Sequence, residues 1–273
     1  MKRTKERELK MVWEVMKGDR RSYLIGTAHF FPYSFRTSLL KLIGTARAIL
    51  FEGPLDEDSM NKVVRAGSLG EGEESVLLKD LGDRILSEIK GVLIPSCRKR
   101  RRLFLFTLRE IKVEDPLLGA VSGMKPWMAF FTLWTHFLKQ KGWLNSVDLE
   151  AYHIAGELGK PITHLEDIKE QIEVLEAIFY EKIVDFLKRV RHWDEYAETY
   201  ARTYLEGDLE GLRSNTIGFP SRHHSVIDRR DEIFYERMKD DLEEGGAVAC
   251  VGAPHIHGIR DLALKDGYRV RRT

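Results

Sequence analysis

Ala247-Val248-Ala249-Cys250-Val251-Gly252-Ala253-Pro254-His255 is the stretch that decides how this chain reads. Five consecutive apolar residues are short for a helix and well sized for a strand buried on both faces. Gly252 supplies a permissive backbone for a sharp exit, and His255 closes the turn. Downstream, residues 259–265 have helical spacing, Gly267 ends them, and residues 268–270 form a short strand. The plan is strand, Gly-x-x-His turn, helix, strand.

The opening of the chain follows the same plan. Residues 11–16 and 22–26, joined by Lys17-Gly18-Asp19, predict a hairpin whose second strand runs into Gly26-Thr27-Ala28-His29. Leu39, Leu40, Leu42, Ile43 and Ala46 predict a helix over 38–47, and Ala48 to Phe51 a strand closed by Glu52. A helix over 148–158 and a strand over 161–165 follow later, the latter ending at Glu166-Asp167. Residues 56–145 are expected to be a mainly helical insertion capping the sheet, with one candidate strand at 91–95. Two or three long helices are expected over 169–244, one of them over 225–243. The fold class is therefore α/β: a central, mainly parallel sheet built from two βαβ-like halves, each with its Gly-x-x-His turn, within one domain spanning 1–273.

Parallel strands place their carboxyl ends on one edge, where open α/β proteins bind ligands. His29, Glu52, Glu166 and His255 should converge there. Two imidazoles and two carboxylates suit zinc, manganese, cobalt or iron, with an open position to activate water. The same set permits metal-free chemistry, with a histidine as general base held in orientation by a carboxylate. The residues alone do not choose between them. Taken one at a time, each of these side chains is more often structural; the shared placement at four strand ends favours a site. Arg229 and Arg230 lie on a helix from which one could reach the edge, although spacing alone favours a solvent-facing pair. His257 and His223-His224 rank second, while His136, His153, His164 and His192 sit in helical or strand patterns that make them ordinary structural histidines.

Composition narrows the class. With 44 basic and 43 acidic residues the net charge is +1, so no overall field favours nucleic acid or an anionic membrane. Two cysteines give neither a disulfide framework nor a four-thiolate site. The charged opening lacks the pattern of a secretory signal, and no stretch approaches a transmembrane span, so a cytoplasmic location is expected. The basic run at 98–102 reads as a solvated face. Residues 127–138, apolar almost all round, read as a core helix, with a substrate groove or a homodimer contact as the less common uses.

With these residues in view, the chain resembles the TraB/PrgY/GumN family, related to the TIKI proteases and more distantly to the erythromycin esterase and ChaN-like proteins. The resemblance rests on the order of motifs over nearly the whole length. These are Tyr23 to His29 with Glu52, Lys125-Pro126-Trp127, Asp148 to Glu166 with Gly159-Lys160-Pro161, Gly207-Asp208, Arg230-Asp231, Val251 to His255, and Gly267 to Val270. It implies paired Gly-x-x-His halves and, from the TIKI branch, a divalent-metal-dependent peptidase. The family pattern carries over to His29, Glu52, Arg230 and His255, with Glu166 also matched. Pro254 stands where many relatives have glycine, removing an N–H that could cradle an anion. Asp167 and Asp231 stand where threonine and asparagine are frequent, making a more acidic site that favours a cation.

The function expected is a metal-dependent, peptidase-like hydrolase of peptide or small acyl substrates. His29, Glu52 and His255 would bind manganese, cobalt or zinc or activate water, Glu166 would support them or act as base, and Arg230 would anchor the substrate. The rival is a non-catalytic regulatory protein that binds a peptide, metal or haem at the same edge, and a bare scaffold comes third.

Overall fold

The computed structural model describes residues 5–93, 116–216, 218–222 and 224–273. The chain opens with the hairpin β1 (Val12–Lys17) and β2 (Arg20–Thr27), turned at Gly18, whose φ of 61° lies in the left-handed region that glycine enters freely. Next come α1 (Arg36–Thr45) and β3 (Ala48–Phe51), the helix and strand expected from spacing. The helices α2 (Glu57–Gly67), α3 (Val76–Leu93), α4 (Pro116–Ser122) and α5 (Pro126–Gln140) make up the described part of the insertion. After them run α6 (Val147–Glu157), β4 (Ile162–His164), α7 (Ile168–Glu176), α8 (Tyr180–Lys188), α9 (Trp193–Glu206), α10 (Leu209–Thr216) and α11 (His224–Glu244). The last elements are β5 (Ala247–Gly252), α12 (Ile256–Lys265) and β6 (Arg269–Arg272).

The strands form one sheet in the order β4-β3-β5-β2-β1-β6. β4, β3, β5 and β2 are parallel, and β1 is antiparallel to both β2 and β6. β5, from the end of the chain, is inserted between β3 and β2 from its beginning. Thr27 pairs with Gly252, Cys250 with Phe51, and Phe51 with His164, so four parallel strands end side by side. Successive strand residues point to opposite faces, and β3 and Ala247 to Val251 of β5 are buried throughout, so both faces are covered. Helices α6, α11 and α12 pack against β2, β3 and β5.

Two expectations change. Residues 91–93 form the last turn of α3 and not a strand, in register with its buried Leu77, Leu81, Ile85 and Ile89; residues 94–95 lie outside those described, as does the basic run at 98–102. Between 169 and 244 the described chain forms five α-helices and not two or three. Of their interruptions, the one at Gly207, left-handed at φ 66°, carries a glycine signal, and Gly218 and Pro220 lie between α10 and α11; those after Glu176 and Lys188 fall at Ala177 and Arg189, which sequence does not flag as breakers. Helix α5 buries Trp127, Phe130, Leu133, Trp134 and Phe137, and Trp134 and Phe130 meet Trp193 and Phe186 edge to face at 5.5 and 5.4 Å. It is a core helix.

Candidate active site at the carboxyl edge of the sheet

His29 follows β2 by two residues. The backbone carbonyl of Ala28 accepts a hydrogen bond from the N–H of Val147 (2.9 Å), which draws the first turn of α6 to the strand exit. Asp148 on that turn meets Nδ1 of His29. The Asp148 carboxyl is buried and accepts from the Ser146 hydroxyl at 2.5 Å, whereas 71% of the His29 side chain is open to solvent. Attraction to Asp148, with Glu52 assisting and the Arg222 charge opposing, raises the His29 pKa to about 9. Asp148 is held below its ordinary value: burial works against ionisation, and the His29 charge with the hydrogen bonds from His29 and Ser146 outweighs it.

The second turn is built differently. A short 3-10 turn over Ala253–His255 starts α12, with Pro254 where no intrahelical N–H is required. His255 is buried; its Nδ1 lies 2.6 Å from Asp231 and its Nε2 3.2 Å from Nη1 of Arg230. A guanidinium only donates, so Nε2 must accept, and Nδ1–H must be the proton donated to Asp231. This tautomer follows from the arginine contact. Phe234 packs edge-on against the imidazole at 5.1 Å.

Arg230 lies at the centre. It turns inward on α11 while Arg229 stays exposed, and its guanidinium lies over the Phe234 ring one turn on, 4.8 Å from the centroid. Nε and Nη2 grip Glu166 at 3.1 and 2.6 Å, and Nη2 also reaches Glu52 at 3.2 Å. Two turns on, Arg237 donates to the carbonyl of Leu165 at 2.6 Å and to Glu170, fastening α11 to the end of β4. Glu52 also accepts the Gly252 N–H at 2.5 Å, and its Oε1 lies 3.7 Å from His255 Nε2. Burial works against ionisation of Glu52, but Arg230, the Gly252 amide and the His29 charge hold its pKa below normal. Glu166 is different: burial pushes it up to about 7 in spite of Arg230. Burial also raises Asp231.

Gly26 and Gly252 matter for closeness and not for positive φ. A Cβ on Gly26 would lie 3.2 Å from the Ala253 Cα, and one on Gly252 would lie 3.0 Å from Oε1 of Glu52. The two Gly-x-x-His turns therefore pack directly on each other. The Tyr204 hydroxyl, buried, donates to the Gly26 carbonyl at 2.5 Å and pins the same corner.

The structure thus brings Glu52, Glu166, Arg230 and His255 into one hydrogen-bonded cluster and places His29 at its exposed side, where its charge lowers the Glu52 pKa. Asp148 and Asp231, which contact the two histidines, are the members of this cluster that the sequence did not single out. Asp231 was visible as an acidic neighbour of Arg230; nothing in its spacing tied it to His255. Other histidines stand apart: His257 pairs with Glu210 and Asp261 at 3.1 and 3.3 Å, and His164 lies in an open hollow with Glu166 and Arg237. His223 and the side chain of His224 lie outside the described residues.

For a divalent ion the residue types fit and the arrangement does not. Arg230 lies within hydrogen-bond distance of both His255 and Glu52, and no three His, Cys, Asp or Glu side chains among the described residues are grouped to hold a metal. What the arrangement offers is a fixed internal cation, two aspartate-oriented imidazoles and one exposed ring.

An α/β sheet whose parallel strands end in two Gly-x-x-His turns, with glutamates between them, defines the class of protein. The chain belongs to the TraB/PrgY/gumN family, whose sequence model matches residues 11–272. No curated protein and no solved structure matches it. Among the described residues no helix is long and apolar enough to cross a membrane.

Proposed function

We propose that this protein is a hydrolase of peptide or related acyl bonds, with its reacting centre between His29 and His255. The observation that carries this reading is that each imidazole is held through Nδ1 by a buried aspartate, Asp148 or Asp231, which fixes the ring and leaves Nε2 to face the site. His29 is the ring that substrate can reach. In its neutral form its Nε2 accepts a proton from the water that adds to the acyl carbon. The resulting imidazolium, stabilised by Asp148, returns that proton to the leaving group as the acyl bond breaks. His255, Glu52 and Glu166 hold Arg230 in place, and Arg230 supplies fixed positive charge where negative charge builds on the acyl oxygen. Because Asp148 raises the His29 pKa, the rate should climb with pH from neutrality towards about 9.

Ligation of manganese, cobalt or zinc by His29, Glu52 and His255 is the second reading. It is favoured by the carboxylate-oriented imidazoles, a common outer shell around metal-binding histidines. It requires Arg230 to withdraw.

Cleavage of a peptide library, with chelator and with added manganese, tests both readings. Turnover that survives chelation and disappears in His29→Gln, with an unchanged melting temperature, supports the first. Turnover that needs manganese moves the assignment to the second. Stoichiometric peptide, metal or haem binding without turnover under any condition would make the protein a binding protein.

A further inference from the structure

A cavity of about 110 Å³ lies behind the His255 turn, bounded by α10, the start of α11 and the start of α12. It adjoins the cluster directly, because Asp231, Ala253 and Pro254 are among its walls. At roughly 30 Å³ per water-sized group, it has room for a side chain of about four carbons. Its lining is apolar at Leu212, Ile227, Ala253 and Pro254, and two arginines, Arg213 and Arg222, stand at its side.

Arg222 joins the cavity to the reacting centre. Its half-buried side chain lies close enough for its charge to act on both Tyr200 and the His29 ring. One guanidinium therefore serves as a wall of the cavity and as a neighbour of the exposed imidazole. The carboxylates on the cavity wall are already committed, Asp231 to His255 and Asp228 to interactions of its own. An apolar recess flanked by arginine is chemically matched to an aliphatic group next to a carboxylate, which a guanidinium grips with two parallel N–H bonds.

We propose that this cavity is the subsite for the carboxylate end of the substrate, with a short aliphatic side chain in the recess and its carboxylate on Arg222, supported by Arg213. The substrate class is then a peptide cut near its C-terminus, or an N-acyl amino acid. This rests on the reading of the neighbouring cluster as a hydrolytic centre, which is what makes the cavity a subsite.

Titration calorimetry with N-acetyl-L-leucine and N-acetyl-L-leucinamide tests it independently of turnover. Native protein should bind the acid about tenfold or more tightly than the amide, the gain expected of one charge-assisted pair. Arg222→Gln should bring the two within about twofold, and Arg222→Lys should keep part of the preference. Equal binding of acid and amide by native protein, no binding of either, or an undiminished preference in a folded Arg222→Gln protein would overturn the subsite. Peptide cleavage with no carboxylate preference leaves the hydrolase reading standing without this subsite. Carboxylate-selective binding with no cleavage in any library does the reverse.

Discussion

Replacing Arg230 with methionine tests the centre of the site most directly. The guanidinium donates to Glu166 at 3.1 and 2.6 Å and to Glu52 at 3.2 Å, and both carboxylates are largely withdrawn from water. Methionine keeps an unbranched apolar stem and removes the guanidinium, with its charge, its N–H donors and its contact with the Phe234 ring. Breaking a buried ion pair by deleting one partner costs about 3–5 kcal/mol, because the remaining charge loses its compensation. Glu166 makes the loss depend on pH. Its pKa in the native protein is raised to about 7 from an ordinary 4.5. A carboxyl raised in this way contributes stability that is full below the unfolded value and is lost as pH rises through the folded one. Without Arg230 the folded value rises further, so the variant should lose stability more steeply than native protein between pH 4.5 and 8. Urea unfolding at pH 8 should show the loss of about 3–5 kcal/mol, and at pH 5.5, with Glu166 neutral in both proteins, roughly half of it. Adding Glu166→Gln to Arg230→Met should recover much of the difference at pH 8. A variant as stable as native protein at pH 8, or one equally weakened at both pH values, would refute the assignment of Arg230 as the cation balancing these two glutamates.

Further expectations concern the other supports. In Asp148→Asn the His29 pKa, followed by proton–carbon NMR, should fall from about 9 towards its ordinary value of 6.5; an unmoved titration would detach Asp148 from the site. The stability owed to this pair is present below pH 6.5 and lost as pH rises through about 9, and solvent screening at so exposed a ring keeps it small. A Cβ built on Gly258 would collide with the Asp231 carboxylate, coming 2.7 Å from its Cγ, so Gly258→Ala should cost about 1–3 kcal/mol and push Asp231 off His255. An unchanged His255 Nδ1 proton resonance in that variant would count against the packing. Glu14, buried in β1, holds Arg21 at 2.8 Å and Arg271 at 2.5 Å across both neighbouring strands. Since both arginines are exposed and can rehydrate, Glu14→Gln should cost only about 1.5–3 kcal/mol, read from the urea midpoint, and a neutral outcome would mean the clamp contributes nothing.

How much of this was legible in the residues depends on the range over which each signal acts. Ala48 to Phe51 was readable as a strand to the residue, because apolar runs and turn chemistry are local. The edge was readable too, since βαβ connections leave strand ends on one side and Glu52 and Glu166 follow their strands at once. Arg230 could be chosen over Arg229 only through resemblance, because the two are adjacent on a helix and spacing does not say which faces inward. The division of 169–244 into five helices was hidden for a similar reason: two of the breaks come at residues with no turn preference, where tertiary packing sets the chain's direction.

The aspartates show a deeper limit, and with it the logic of the site. Asp148 finds His29 because Val147 bonds to Ala28 across more than a hundred residues of chain, and no pattern in the sequence announces that contact. Reading Asp231 as added acidity led to the expectation of a bound cation, and the charge count supports the premise: Glu52, Asp148, Glu166 and Asp231 face Arg230 and the two imidazoles. The surplus is answered inside the chain in two ways. Arg230 supplies one fixed positive charge, and protons supply the rest, which is why burial carries Glu166 up to about 7 while Asp148 carries His29 up to about 9. A divalent ion entering the cluster would have to displace both the guanidinium and the protons. Metal affinity, if measured in Arg230→Met, should therefore exceed that of native protein and rise from pH 6 to pH 8, and equal affinity in the two proteins would show that Arg230 does not occupy the cation's place.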